Sequence, residues 1–159
     1  MTYCLGMLLE SGLVLMADTR TNAGVDDFSS ARKLHLLTKG PDRQIYAATA
    51  GSLSVSQSVI GLLQEEQLAS ETGDDSRRLS EAPTMFRAAQ IVGEAVAKIG
   101  ETIGAALARE NIDHVVELLL GGRVAEGRLR LFLVYSIGNF IELSNDRMPI
   151  LTASASGVV

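Results

Sequence analysis

Residues 2–18 read TYCLGMLLESGLVLMAD, and this opening stretch decides the fold. Two apolar runs, residues 2–9 and 13–17, stand on either side of the polar residues Glu10 and Ser11 and of Gly12. Short apolar runs separated by a glycine-containing turn are typical of a β-hairpin. We therefore expect the chain to open with two antiparallel strands.

The segment after this hairpin predicts a loop and then two more strands. Residues 19–30 are mostly polar and include two adjacent aspartates, which favours a loop that is exposed or lines a cleft. Apolar patterns resume over residues 33–38 and 44–50, separated by the turn-forming sequence KGPD.

Two helices are predicted in the middle of the chain. Apolar residues recur at helical spacing over residues 54–69, after which the polar stretch 70–80 breaks the pattern. Ser80, Glu81 and Pro83 have the chemistry of a helix cap and first turn, so we expect a second, long helix to begin there. Its apolar stripe consists of Val92, Val96, Ile99, Ile103 and Leu107, with Gly93, Gly100 and Gly104 along it to allow close packing.

Strands return in the last third of the sequence. They are predicted over residues 115–120, before a break at Gly121 and Gly122, and over 130–135 and 139–143. The order is strands, helices, strands, with hairpin-length connections, so the fold class is α+β with antiparallel sheets. Residues 144–159 have no periodicity that predicts an element.

Composition excludes several classes of protein. Of the 159 residues 47% are hydrophobic and 21% charged, and no apolar run reaches the roughly 18 residues of a membrane-spanning helix. The net charge of −5 and the 4% aromatic content argue against nucleic-acid binding. The N-terminus lacks a secretory signal, and Cys4 is the only cysteine, so we expect a cytoplasmic protein. His35 and His114 have no metal-ligand spacing, so no metal is expected.

Thr2 is the first candidate for chemistry. Initiator methionine is removed when a small residue follows it, so the mature chain can begin with Thr2 and a free α-amino group. Such an amine has a pKa of about 7.7 to 8.0, close to that of a useful general base. A threonine hydroxyl beside its own terminal amine is a known nucleophile, although many chains begin Met-Thr without any catalytic role.

Asp18, Lys33 and Gly51 are the other candidates. A lysine held by a carboxylate supplies positive charge for a developing alkoxide, and pairing of the second and third strands brings Asp18 and Lys33 to the end where Thr2 lies. The alternative is a solvated charge cluster at the end of a sheet. Gly51 lies at a strand-to-helix junction, where backbone N–H groups face an incoming oxyanion.

Several motifs together resemble the proteasome β-subunit family, and look most like its bacterial Anbu branch, the ancestral β-subunit. They are MTYC at residues 1–4, ADTRTNAG at 17–24, SARKLH at 30–35, ATAG at 48–51, LLLGGR at 118–123, LFLVY at 131–135 and GNFIE at 138–142. The resemblance covers residues 2–142, and its motifs are specific as an ordered set.

The resemblance implies a peptidase. Thr2 would be the nucleophile and its amine the general base, Lys33 would lower the pKa of the hydroxyl, and Asp18 would orient Lys33. Gly51 would offer its N–H to the oxyanion. Amide hydrolysis would pass through an acyl-enzyme ester on Thr2.

The substrate cleft and the partners are also implied only by the resemblance. Arg20, Thr21 and Gly24 match positions near the family's substrate cleft. The substrate would be a peptide or an unfolded protein, cleaved within a homo-oligomeric ring or spiral, and no cofactor is implied. An ATPase partner is not identified by the sequence.

The resemblance implies a four-layer αββα sandwich, and the chain departs from it. Residues 1–143 would form an incomplete proteasome β-subunit-like domain, with the second helical layer apparently missing, and 144–159 a divergent tail. A supporting aspartate and serine of the family have no counterpart here, and Glu117 stands where the family commonly has a serine. The alternatives are therefore a truncated, inactive relative that acts only as an assembly or interaction subunit, and an unrelated small-ligand binding module.

Overall fold

The first sheet contains the predicted hairpin. A computed structural model of the chain describes residues 2–22, 28–110, 115–143 and 150–155. Strands β1 (Thr2–Leu9) and β2 (Gly12–Ala17) pair antiparallel, which confirms the hairpin. The last strand, β10 (Ile150–Ala155), pairs antiparallel with the other edge of β1. No periodicity in residues 144–159 predicts β10, because its pairing depends on a strand from the other end of the chain.

The segment predicted as a loop holds two short strands. β3 (Arg20–Asn22) and β4 (Phe28–Ser30) pair antiparallel, so the loop prediction for residues 19–30 is wrong for these six residues. Polar composition misled the prediction, because it signals exposure and does not prevent backbone pairing at the surface. Residues 23–27 lie outside the described residues.

The second sheet contains every strand predicted after the hairpin. Its strands are β5 (Leu34–Lys39), β6 (Arg43–Gly51), β7 (Val116–Val124), β8 (Arg130–Tyr135) and β9 (Phe140–Leu143). They lie in this order across the sheet, and all neighbours are antiparallel. The predicted break at Gly121 and Gly122 is wrong, since both residues pair with β6. The side chain of Leu13 packs where Gly121 has no side chain of its own.

The first predicted helix is two helices, α1 (Leu53–Gln64) and α2 (Gln67–Thr72). The chain turns at Glu66, which has a left-handed backbone with a φ of 51°. The core side of α1 ends with the buried Leu63, and the next positions at helical spacing are polar. Apolar residues resume at Leu68 and Ala69, which become buried only because the helix axis changes direction there.

The second predicted helix begins later than the cap residues suggested. Leu79–Glu81 is a 3₁₀ turn, and α3 (Met85–Ile99) begins after Thr84, whose Oγ1 accepts a hydrogen bond of 3.1 Å from the N–H of Arg87. The assignment of the cap to Ser80, Glu81 and Pro83 is therefore wrong. A π turn (Gly100–Gly104) joins α3 to α4 (Ala105–Arg109).

The apolar stripe and the close packing of the long helix are confirmed. Val92 and Val96 are buried, and Ile99, Ile103 and Leu107 pack against the same core. A Cβ atom at Gly93 would lie 2.2 Å from the carbonyl oxygen of Gly138, so the turn before β9 approaches the helix backbone directly. None of the helices in the described ranges is long and apolar enough to cross a membrane.

The elements stack as helices, sheet and sheet. Helices α1 and α3 cover one face of the five-stranded sheet. The first sheet covers the other face through a second core, whose buried members are Cys4, Leu8, Ala48, Ala50, Leu119, Leu131 and Leu143. The predicted α+β class with layered antiparallel sheets is confirmed. Among the described residues one helical layer is present, and Tyr3, Leu9 and Met16 are exposed on the first sheet.

Candidate active site

Four strand ends meet at one edge of the two stacked sheets. The backbone of Thr2 begins β1, Asp18 follows β2, Lys33 precedes β5, and Gly51 ends β6. The backbone N–H of Ala31 donates a hydrogen bond of 2.8 Å to the carbonyl of Thr19 and thereby joins the connections on either side of the β3–β4 ribbon. Residues far apart in the sequence are brought together because both sheets are antiparallel.

Lys33 and Asp18 form a partly buried ion pair at this edge. The Lys33 Nζ donates hydrogen bonds of 3.0 Å to each Asp18 carboxylate oxygen and one of 2.5 Å to the carbonyl of Arg20. Lys33 is only 4% exposed, whereas the Asp18 side chain is 32% exposed. Three acceptors therefore surround an ammonium group that would be costly to bury alone.

The Asp18 carboxylate also binds the backbone next to Thr2. It accepts hydrogen bonds of 2.9 Å from the N–H of Tyr3 and 3.1 Å from the N–H of Arg20. Burial raises the pKa of Asp18, but the hydrogen bonds from Tyr3, Lys33 and Arg20 outweigh it and leave the pKa below its usual value. Asp18 thus stays ionised at neutral pH and links the lysine to the residue that follows Thr2.

A second set of contacts holds the backbone of Lys33. The carbonyl of Lys33 accepts hydrogen bonds from the N–H of Thr49 at 2.8 Å and from its Oγ1 at 3.4 Å. The carbonyl of Thr49 in turn accepts a bond of 3.3 Å from Cys4 Sγ. The sequence analysis missed Thr49, and the only signal for it was its place in the ATAG motif.

Cys4 is a packed residue with an unreactive thiol. Its side chain is fully buried between the sheets. Burial and the negative charges of Asp18 and Glu117 raise the pKa of the thiol to about 11, although the positive charge of Lys33 opposes them. A thiol with this pKa is not a nucleophile at neutral pH.

Gly51 occupies a position that only glycine fits. Its φ is +101°, and a Cβ atom would lie 2.2 Å from the carbonyl oxygen of Val115. The same carbonyl accepts a hydrogen bond of 2.9 Å from the N–H of Ser52. The strand-to-helix turn therefore lies directly against the start of β7, with no side chain between the two backbones.

A cavity of about 340 Å³ opens beside the ion pair. It is lined by Ala17, Asp18, Thr19, Ser30, Ala31, Arg32, Lys33 and Leu34. Of the predicted cleft residues, Arg20 contacts the site through its backbone, and Thr21 follows it in β3. Gly24 lies outside the described residues, and the roles of all three stay predictions.

The structure places the four predicted catalytic residues without testing what they do. Thr2 is described by its backbone, which pairs with that of Ala155 in β10. Asp18 and Lys33 are in direct contact, and Gly51 ends the strand that carries Thr49. Within the described ranges, no three histidine, cysteine, aspartate or glutamate side chains are grouped as metal ligands.

Comparisons with known proteins give matches only among solved structures. No protein-family model and no curated protein matches the chain. A Gly-1 mutant of Anbu from Hyphomicrobium sp. strain MC1 is 35% identical over 96% of this chain, with a TM-score of 0.80. Anbu, the ancestral beta-subunit, from Yersinia bercovieri is 37% identical over 95% of this chain, also with a TM-score of 0.80.

A third match has the same extent. The helical assembly of the Anbu complex from Pseudomonas aeruginosa is 35% identical over 95% of this chain, with a TM-score of 0.81. In all three cases the chain spans 60% of the length of the matched protein. Over the part that aligns, this chain is therefore similar to Anbu, the ancestral β-subunit, in both sequence and fold, as its motifs predicted.

Proposed function

We propose that this chain is a threonine-type peptidase whose nucleophile is Thr2, exposed by removal of Met1. The observation that carries the proposal is the Asp18 carboxylate, which binds the Lys33 ammonium group and the N–H of Tyr3 at once. This contact holds a buried positive charge beside the residue that follows Thr2. A solvated charge cluster would not need a lysine that is 4% exposed.

In the proposed first step, the α-amine of Thr2 accepts the proton of the Thr2 hydroxyl as Oγ attacks the carbonyl carbon of a peptide bond. Lys33 stabilises the developing negative charge on Oγ, and the N–H of Gly51 donates to the carbonyl oxygen as it becomes an oxyanion. The C–N bond then breaks, and the departing amine takes the proton from the α-ammonium group. An ester on Thr2 remains.

In the second step, the α-amine removes a proton from a water molecule that attacks the ester carbonyl. The ester C–O bond breaks, the proton passes to Thr2 Oγ, and the carboxylic acid product leaves. Thr2 supplies the base of both steps and the nucleophile of the first, so the proposed reaction uses no cofactor. The role of Asp18 is to hold the Lys33 ammonium group in place.

The proposed substrates are peptides or unfolded proteins, cleaved in the cytoplasm within a homo-oligomer. The matched structure from Pseudomonas aeruginosa is described as a helical assembly, which supports a spiral or ring for this chain. The cavity beside Lys33 is lined by residues at the ends of strands and lies next to the proposed catalytic pair. Arg20, Thr21 and Gly24 are proposed to line the cleft.

The test is intact-mass spectrometry with a peptidyl epoxyketone, which reacts with both the hydroxyl and the amine of an N-terminal threonine. We expect loss of Met1 and one adduct that maps to Thr2. Thr2→Ala should give no adduct, and Lys33→Met should lower the labelling rate by about 100-fold. Thr38→Ala, a threonine of β5 outside the site, should label like the original chain.

The result that contradicts the proposal is equally definite. Retention of Met1, or a folded chain with free Thr2 that never reacts, shows that the motif is present without its chemistry. The chain would then act only as an assembly or interaction subunit. An adduct elsewhere than Thr2 would instead favour a small-ligand binding module.

A further inference from the structure

Glu117 is a carboxylate near the proposed site that the proposed steps do not use. It lies on β7 directly opposite Ala50 of β6, and the next pair along the ladder is Val116 with Gly51. On its other side it pairs with Tyr135 of β8. The backbone of Glu117 therefore lies on the strand next to the turn at Gly51, shifted by one residue from the position opposite Gly51.

The side chain of Glu117 faces the first sheet. Residues directly opposite in an antiparallel pair share a face, and Ala50 is a buried member of the core between the sheets. Leu119, two residues further along β7, belongs to the same core, as strand alternation requires. Cys4 of β1 packs there too, and the negative charge of Glu117 contributes to the raised pKa of its thiol.

This half-buried carboxylate has no donor among the described residues. No hydrogen bond or ion pair to Glu117 is formed within those ranges, and Tyr135 does not donate to it. A carboxylate that is partly withdrawn from water is more stable beside a donor or a positive charge. Lys33 already binds Asp18 and the carbonyl of Arg20. The start of β1 offers a cationic group of its own once Met1 is removed, namely the α-amino group of Thr2, two residues before Cys4.

We propose that Glu117 is a positioning residue whose carboxylate accepts a hydrogen bond from the α-ammonium group of Thr2 once Met1 is removed. The consequence for catalysis rests on the proposed function, in which that amine is the general base. Glu117 holds the nitrogen in place and stabilises its protonated form. It supports the terminal amine from the β7 strand.

The proposal predicts a change in the basicity of the amine. A nearby carboxylate favours the ammonium form, so the pKa of the Thr2 amine should be higher with Glu117 than without its charge. Glu117→Gln keeps the shape and a hydrogen-bond acceptor but removes the charge. We therefore expect this variant to lower the pKa of the amine by about one unit.

The experiment measures the amine directly, without relying on peptidase activity. The full chain that has lost Met1 is labelled with trace acetic anhydride between pH 6 and 10, and the labelled N-terminal peptide is quantified by mass spectrometry. We expect the midpoint to fall in Glu117→Gln and to be intermediate in Glu117→Asp, which keeps the charge but shortens the side chain. Glu126→Gln is the matched control, because it removes an equal charge from the exposed turn after β7.

The outcomes separate this inference from the proposed function. Equal midpoints in the original chain and Glu117→Gln overturn the inference, even if the epoxyketone labels Thr2. If Glu117→Gln does not fold, an unchanged midpoint in Glu117→Asp overturns it instead. A midpoint that depends on Glu117 in a chain that the epoxyketone never labels supports the inference and contradicts the proposed function. Retention of Met1 contradicts both.

Discussion

Asp18 and Lys33 are unequal partners in their ion pair. The Lys33 ammonium is buried, and its charge is balanced by Asp18. The Asp18 carboxylate is a third exposed and keeps the hydrogen bonds from Tyr3 and Arg20 if the lysine is removed. Loss of the carboxylate therefore removes the negative charge that balances a buried ammonium, whereas loss of the lysine leaves the carboxylate with two backbone donors.

This asymmetry predicts an order of stability. Asp18→Asn should lower the free energy of unfolding by about 3 kcal/mol, because a buried ammonium loses its negatively charged partner and the amide NH₂ faces other donors. Lys33→Met should cost about 1 kcal/mol, since methionine fills much of the space of the lysine stem. Urea unfolding at pH 7 measures both values. Equal losses would show that the pair is hydrated and that burial of Lys33 has little energetic weight.

Gly51 gives a prediction that depends on backbone geometry. Gly51→Ala should destabilise the chain by about 3 kcal/mol or more, because a Cβ atom would collide with the carbonyl of Val115 at a φ of +101°. Gly61→Ala is the matched control. Gly61 lies inside α1 with no atom within 4 Å of an added Cβ, so alanine should stabilise by about 0.5–1 kcal/mol. A change in melting temperature of the same sign for both variants would contradict this explanation.

At the scale of elements, the start of α3 depends on one hydroxyl. Thr84→Ala removes the oxygen that accepts the hydrogen bond from the N–H of Arg87, and we expect a loss of about 1 kcal/mol. Thr102→Ala serves as the control, because its hydroxyl only donates back to the carbonyl of Lys98 within the exposed helix end. Urea unfolding should show no clear change for Thr102→Ala. An equal loss in both variants would exclude Thr84 as the cap.

The elements that were predicted well are those whose pattern is local. The hairpin and the strands of the second sheet carry apolar runs between turns, and these signals do not depend on the rest of the fold. The direction change at Glu66 and the pairing of β10 with β1 depend on packing between distant segments. The sequence contains no local signal for either, so they could not be predicted from it.

The residues of the candidate site also divide into those with a local sequence signal and those that depend on how distant strands pair. Asp18 and Lys33 were indicated by motifs and by the expected pairing of neighbouring strands, and they are in contact. Thr49 and Glu117 matter through register, since one binds the backbone of Lys33 and the other lies opposite Ala50. The register in which two strands pair cannot be read from the sequence of either strand alone. The catalytic roles of Thr2 and Gly51, which rest on their chemistry and on the family resemblance, stay predictions.

At the scale of the whole molecule, the two faces of the first sheet differ. Its inner face packs against the second sheet, whereas Tyr3 and Met16 on its outer face are 53% and 55% exposed. Among the described residues no helix covers this outer face, although α1 and α3 cover the far side of the second sheet. An exposed apolar sheet face of this kind tends to bind other apolar groups in water.

We expect this face to bind a hydrophobic dye. Met16→Lys should lower the fluorescence of bound anilinonaphthalene sulfonate at neutral pH, because it places a charge in the middle of the exposed apolar surface. Ser11→Lys, in the exposed turn of the hairpin, adds the same charge and should leave the fluorescence unchanged. Equal fluorescence for Met16→Lys and the original chain would show that the dye binds elsewhere.

The buried thiol of Cys4 provides a built-in probe of how often the two sheets separate. Its Sγ lies in the interior with a pKa of about 11, and no other cysteine competes with it. An alkylating reagent can reach it only when the interface opens, so the rate of modification reports the population of the opened form. The same Sγ donates a hydrogen bond to the carbonyl of Thr49, whose N–H binds the carbonyl of Lys33. The rate of alkylation therefore also reports how often the backbone that supports the site opens.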